Sequence, residues 1–196
     1  MKKTLRDAIN TISLPLETAY LKRELNKLPE NKDPIKPIKN LPKDVLIVAP
    51  HSDDEMLGAG GVIHSECFET VFHIYIPTLN EKEDDLTRVN ESKKAFSSVD
   101  NKVVFYFGGL EDGRLFDQRD EISKEVLKII KETGTKTVFA PFFTELHKDH
   151  AACSMTVLEL LKEKTIDDIY FFSTNHLFLP EMANRFHPFP GSKFDK

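Results

Sequence analysis

From Asp44 onward, apolar runs of four to seven residues alternate with longer stretches whose apolar residues recur at helical spacing. The runs fall at 44–49, 70–76, 103–107, 137–140 and 168–172, and the helical stretches at about 55–67, 83–98, 121–133 and 150–163. The first run, Val45-Leu46-Ile47-Val48-Ala49, is apolar at every position, as a strand covered on both faces must be. Strands alternating with helices predict βαβ units and a parallel sheet. With right-handed crossovers the expected fold class is α/β, a three-layer Rossmann-like sheet of order 3-2-1-4-5. The first and fourth strands are then neighbours, and the loops leaving their C-terminal ends diverge to open a crevice where such proteins bind ligands. Ahead of this unit, Leu16, Tyr20, Leu21, Leu25 and Leu28 form an interrupted amphipathic pattern, followed by a Pro-rich run to Pro42. A helix and a stiff linker are expected over 1–43, leaving one domain over 44–196.

Composition narrows the class without changing it. A chain of 196 residues, 40% hydrophobic and 30% charged, suits one soluble domain, and 15 Phe with no Trp make Phe the expected core aromatic. The formal net charge of -5 comes from interspersed signs with no basic block, which argues against a nucleic-acid partner. Cys67 and Cys153 lie in no ligand-like spacing and are expected to be free buried thiols in a reducing compartment. Arg6, Asp7 and Asn10 interrupt what would have to be the apolar stretch of a leader, and no run is long enough to span a bilayer, so a cytoplasmic location is expected.

Two polar clusters stand out against this frame. The first strand runs into Pro50-His51-Ser52-Asp53-Asp54-Glu55, and the fourth runs through Pro141 into His147-Lys148-Asp149-His150. Topology alone brings these groups, about a hundred residues apart, to one crevice. Imidazoles and carboxylates without cysteine suit a catalytic zinc site, which takes three ligands and keeps a position for water. His51 and Asp54 on one turn, with His150 from the other loop, make a two-His-one-carboxylate set. Asp53 and His147 are left beside it as acid/base candidates. Acidic residues at 53–55 alone would need no more than the positive end of a helix dipole, but that does not account for His51 or the second histidine pair. Gly58, Gly60 and Gly61 fall inside the expected helix and form no dinucleotide loop. His64, His73, His176 and His187 have no ligand-like partners in sequence and are read as structural or solvent-facing.

These motifs resemble the de-N-acetylases related to LmbE and to the PIG-L enzyme that deacetylates N-acetylglucosaminyl-phosphatidylinositol. The likeness rests on P-H-S-D-D-E with Gly58, Gly60 and Gly61 after it, and on H-K-D-H, and it covers roughly residues 44 to 175. Arg88 and Glu91 resemble an Arg-x-x-Glu of the family, and Asp112-Gly113-Arg114-Leu115 resembles a loop after its third strand. The resemblance implies that His51, Asp54 and His150 bind zinc, with iron(II) or another divalent ion as the alternative. It also implies that Asp53 is the general base and that His147 stabilises the oxyanion and protonates the leaving amine. Asp149 would support His147, and Arg88 would contact the substrate. The expected activity is removal of the N-acetyl group from an N-acetylglucosamine-like sugar or glycoconjugate. Fewer residues follow His150 than the resemblance leads one to expect, which leaves part of the substrate wall to a shortened strand or to a second copy in a homo-oligomer. The rival readings are a nucleotide-binding α/β module and an inactive relative serving as a partner or sensor.

Overall fold

A computed structural model describes residues 40–80, 85–142 and 147–174. The helix and linker expected over 1–43 lie, but for the last four residues, outside the described residues, as do His176 and His187. The strands are β1 (Asp44–Val48), β2 (Val71–Ile76), β3 (Val103–Phe107), β4 (Thr137–Pro141) and β5 (Asp168–Phe172). The helices are α1 (Asp54–Glu66), α2 (Leu86–Ala95), α3 (Arg119–Thr133) and α4 (Lys148–Lys162). All pairings are parallel and the order is β3-β2-β1-β4-β5, as the alternation of runs predicts.

The side-chain alternation of β1 divides the core. Val45, Ile47 and Ala49 face a layer containing Ala59 and Ile63 of α1 and Val89 of α2, while Leu46 and Val48 face Ile122, Val126 and Ile129 of α3 and Ala152, Val157 and Leu160 of α4. Both faces of the strand are therefore dry beyond Asp44, which is why no polar position follows that residue. The α1 and α2 connections run one way from β1, and the connection from β3 crosses to β4 on its other side. The switch point falls between β1 and β4, which pair at Leu46↔Val138 and Ile47↔Phe139.

The second helix is shorter than its pattern suggests. It ends at Ala95, and a 3₁₀ stretch with a kink at Val99 (φ -134°) fills Ser97–Lys102. Short polar residues such as Ser97 and Ser98 disfavour continuation of the helix, while buried Phe96 anchors the break to the core. His73, expected to be structural or exposed, is buried in β2, with Nε2 3.0 Å from Asp44 Oδ1 and Nδ1 3.2 Å from Tyr106 Oη. Cys67 and Cys153 are both free and buried, as expected.

Gly58 fixes how α1 meets the sheet. A Cβ there would lie 2.1 Å from Cδ2 of Phe172, a ring only 6% exposed. Gly58→Ala is expected to overpack this contact and cost about 1–3 kcal/mol, read as a lowered urea midpoint that Phe172→Leu partly restores. An unchanged midpoint would show that α1 does not seat on β5 in this way.

Candidate metal centre

The two polar clusters sit where β1 and β4 end. Pro50 is held by Thr78 Oγ1, which donates to its carbonyl at 2.7 Å, and Asp53 is the N-cap of α1. An N-cap aspartate ordinarily spends its carboxylate on the free N–H groups of the first turn. Asp53 makes no such bond and is exposed, so its carboxylate stays available. Asp54 is the first residue of the helix and is buried. On the other side His147 is the N-cap of α4, which starts two residues earlier than its apolar pattern indicates. His150 thus lies in the first turn, where Ser154 Oγ donates both to its carbonyl (2.8 Å) and to that of Pro141 (2.5 Å), tying the helix start to β4.

Asp54 Oδ2 is the meeting point. It lies 3.2 Å from His51 Nδ1 and 3.2 Å from His150 Nε2, and it accepts from the His51 backbone N–H at 3.0 Å. Neighbouring ligands with bonds of 2.0–2.1 Å in a tetrahedral zinc site are about 3.3–3.4 Å apart. The two contacts of Asp54 Oδ2 are each close to that separation. The rings of His51 and His150 have centroids 5.5 Å apart, and His147 sits edge-on to His51 at 4.8 Å. Ligand atoms of His51, His147 and His150 all lie within 4.8 Å of one another. The structure thus brings together all three expected ligands, and His147 beside them.

The charges agree with this arrangement. Burial works against ionising Asp54, but hydrogen bonds from His150 and His51 outweigh it and hold the carboxyl well below its usual range. Burial also works against charging His51. Asp54, then Asp149 and Asp112, overcome it and raise the imidazole. His147 is lowered, first by burial and then by the charges of His51 and His150. Glu55, next to the cluster, is buried with no partner for Oε2 among the described residues, and burial, assisted by the charges of Asp54 and Asp53, pushes it up to about 7.

One placement differs from expectation. The Asp149 carboxylate does not turn to His147; its Oδ2 lies 3.2 Å from Nε2 of His51, and only its backbone N–H reaches His147 Nδ1, at 3.3 Å. The reason is steric economy: His147 is the N-cap and accepts the backbone donor of Asp149, while the fully buried carboxylate points inward to the ring across the crevice. Arg88 is exposed on α2. One contributor was not assigned from the sequence. Asp112 Oδ1 lies 3.2 Å from His51 Nε2. Its signal was topological: a connection from edge strand β3 to β4 must cross the ends of β2 and β1, and so passes the switch point.

Comparison with known proteins follows the same line. The model of the family PIG-L, GlcNAc-PI de-N-acetylase, matches residues 46–161, the span from β1 through most of α4 and thus both clusters. The chain belongs to the PIG-L family. A conserved protein from Thermus thermophilus shares its fold at a TM-score of 0.55 and 23% identity, over 70% of this chain and 69% of that one. N,N'-diacetylchitobiose deacetylase from Pyrococcus horikoshii does so at 0.53 and 22%, over 83% of this chain and 60% of that one. A deacetylase of teicoplanin biosynthesis, solved with teicoplanin, matches at 0.56 and 16%, over 72% of each chain. In this PIG-L member Gly58, Gly60 and Gly61 form no dinucleotide loop, because they lie within α1, and Gly58 serves its contact with Phe172. Among the described residues no helix is long and apolar enough to cross a membrane.

Proposed function

We propose that the chain is a metal-dependent hydrolase that removes the N-acetyl group from an N-acetylated amino sugar or glycoconjugate, its ion held by His51, Asp54 and His150. The observation that carries this reading is Asp54 Oδ2 placed 3.2 Å from a nitrogen of each histidine. Imidazole and carboxylate ligands select weakly between zinc and iron(II), and zinc is the ion expected in the purified protein. The chemistry an ion supplies in such a place is polarisation of the amide carbonyl and a lowering of the pKa of water to about 7.

The chain's own residues do the rest. Asp53, exposed and not engaged in capping, accepts the proton of the attacking water. His147 has its Nδ1 occupied by the Asp149 backbone N–H, which places its own N–H on Nε2, where it donates to the developing oxyanion, while the proton that Asp53 took from water passes on to the leaving nitrogen. Asp149 fixes the ring of His51 instead of supporting His147. Arg88, exposed on α2, is assigned to the outer part of the substrate by its match to the family pattern. The substrate class rests on membership of the PIG-L family, and the deacetylase neighbours are consistent with it.

The test is acetate release by metal-loaded protein from a panel that includes N-acetylglucosamine, N,N'-diacetylchitobiose and an N-acetylglucosaminyl inositol. Turnover of at least one, absent after chelation and restored by zinc, is expected. A folded, loaded protein that releases acetate from none of them would favour the inactive relative.

A further inference from the structure

We propose that the open edge of β3 pairs antiparallel with β3 of a second copy of this chain, joining the two sheets into one across a two-fold axis at Phe105.

Among the described residues β3 is an edge of the sheet, paired on one side only, with β2. Its sequence, Val103-Val104-Phe105-Tyr106-Phe107, is aliphatic or aromatic throughout, yet none of the five residues is buried and Val104 is 41% exposed. The opposite edge, β5, buries three of its five residues. Gly108 carries the ladder past the end of β3 by donating to the Ile76 carbonyl at 3.1 Å. The alternation of a strand then turns the backbone groups of Val104 and Tyr106 toward β2, and those of Val103, Phe105 and Phe107 away from it. Among the described residues these outward N–H and C=O groups meet no hydrogen-bond partner. An edge of this kind recruits a further strand unless a charge or a proline blunts it, and β3 carries neither.

The identity of the added strand follows from the order of the side chains, because β3 is its own complement. With the axis at Phe105, antiparallel pairing sets Phe105 opposite its equivalent and Val103 opposite Phe107 of the other copy. These are the residues whose backbone groups point outward, so each becomes a hydrogen-bonded pair. Between them, Val104 falls opposite Tyr106. Every cross-strand pair is then aromatic with aromatic or aromatic with valine, the combinations that stabilise a sheet. Lys102, just before the strand, falls opposite Gly108, so no like charges meet there. Moving the axis to Val104 would set Phe107 opposite Asn101, and moving it to Tyr106 would set Val103 opposite Gly109; either loses a matched pair. The two crevices at the ends of β1 and β4 then open in opposite directions, and each centre keeps to its own chain.

The experiment is sedimentation equilibrium on the full chain, purified with whatever metal it carries. At about 100 μM, a concentration suited to a small interface, the parent is expected at twice the mass of one chain. Val104→Lys puts a charge on an exposed position of the edge and should raise the dissociation constant about tenfold or more. Val103→Pro removes an outward N–H at the first residue of the strand, where proline is compatible with a sheet, and should act in the same direction. Circular dichroism and metal content should be unchanged in both variants. The register is read by mixing Val104→Cys chains with Tyr106→Cys chains. Mild oxidation should link the two kinds to each other, and neither to itself, because these positions face one another in the close, non-hydrogen-bonded pair. A parent that remains a monomer at this concentration would overturn the proposal, as would a dimer that both substitutions leave intact. A monomer whose Phe105 amide is nonetheless protected from hydrogen exchange would overturn it in favour of another part of the same chain on this edge.

Discussion

Asp53→Asn is expected to keep a full complement of metal and to lose turnover by roughly a hundredfold or more, the scale of a lost general base. The expectation follows from what the carboxylate does not do. As N-cap of α1 it makes no capping bond, it is exposed, and it is not among the atoms that meet at Asp54 Oδ2. Asparagine is nearly isosteric, retains the N-cap preference and cannot take a proton from water, so helix and ligands should be undisturbed. Its neighbour has the opposite profile. Asp54 is buried, ionised by two imidazoles and placed between them, so Asp54→Ala should lose the ion first and activity as a consequence. Metal content and acetate release, measured on the same preparations, separate the two cases. If Asp53→Asn emptied the site while Asp54→Ala stayed loaded, the roles would be exchanged, and a fully active Asp53→Asn would remove general-base catalysis by this residue.

The parts of this account that sequence reveals are those where one requirement governs a whole run of residues. Five strands were legible because each is apolar nearly throughout, the central ones being covered on both faces, and their order followed from the handedness of crossovers. The meeting of His51, Asp54 and His150 was legible because both motifs directly follow strands that the order makes neighbours. Local capping was not. Apolar periodicity starts later than the backbone helix, so α1 and α4 begin before their patterns, and this shift turns Asp53 and His147 into N-cap residues. The direction of a side chain was less legible still. Asp149 lies two residues from His147 in sequence, yet its carboxylate crosses to a ring 98 positions away. Glu55 looks like a first-turn acid that favours the helix dipole, whereas it is buried with Oε2 unpartnered among the described residues, a consequence of where α1 seats that its identity does not reveal.

Metal content before and after removal of the two imidazoles tests the central claim most directly. Of the atoms gathered at Asp54 Oδ2, one nitrogen comes from β1's loop and one from β4's, so losing both leaves a single buried carboxylate that cannot hold an ion alone. Elemental analysis of the purified chain should find about one zinc or iron per molecule. The His51→Ala, His150→Ala double variant, verified as folded by circular dichroism, should hold none and release no acetate. The same complement of metal in the folded double variant as in the parent would contradict the proposed centre.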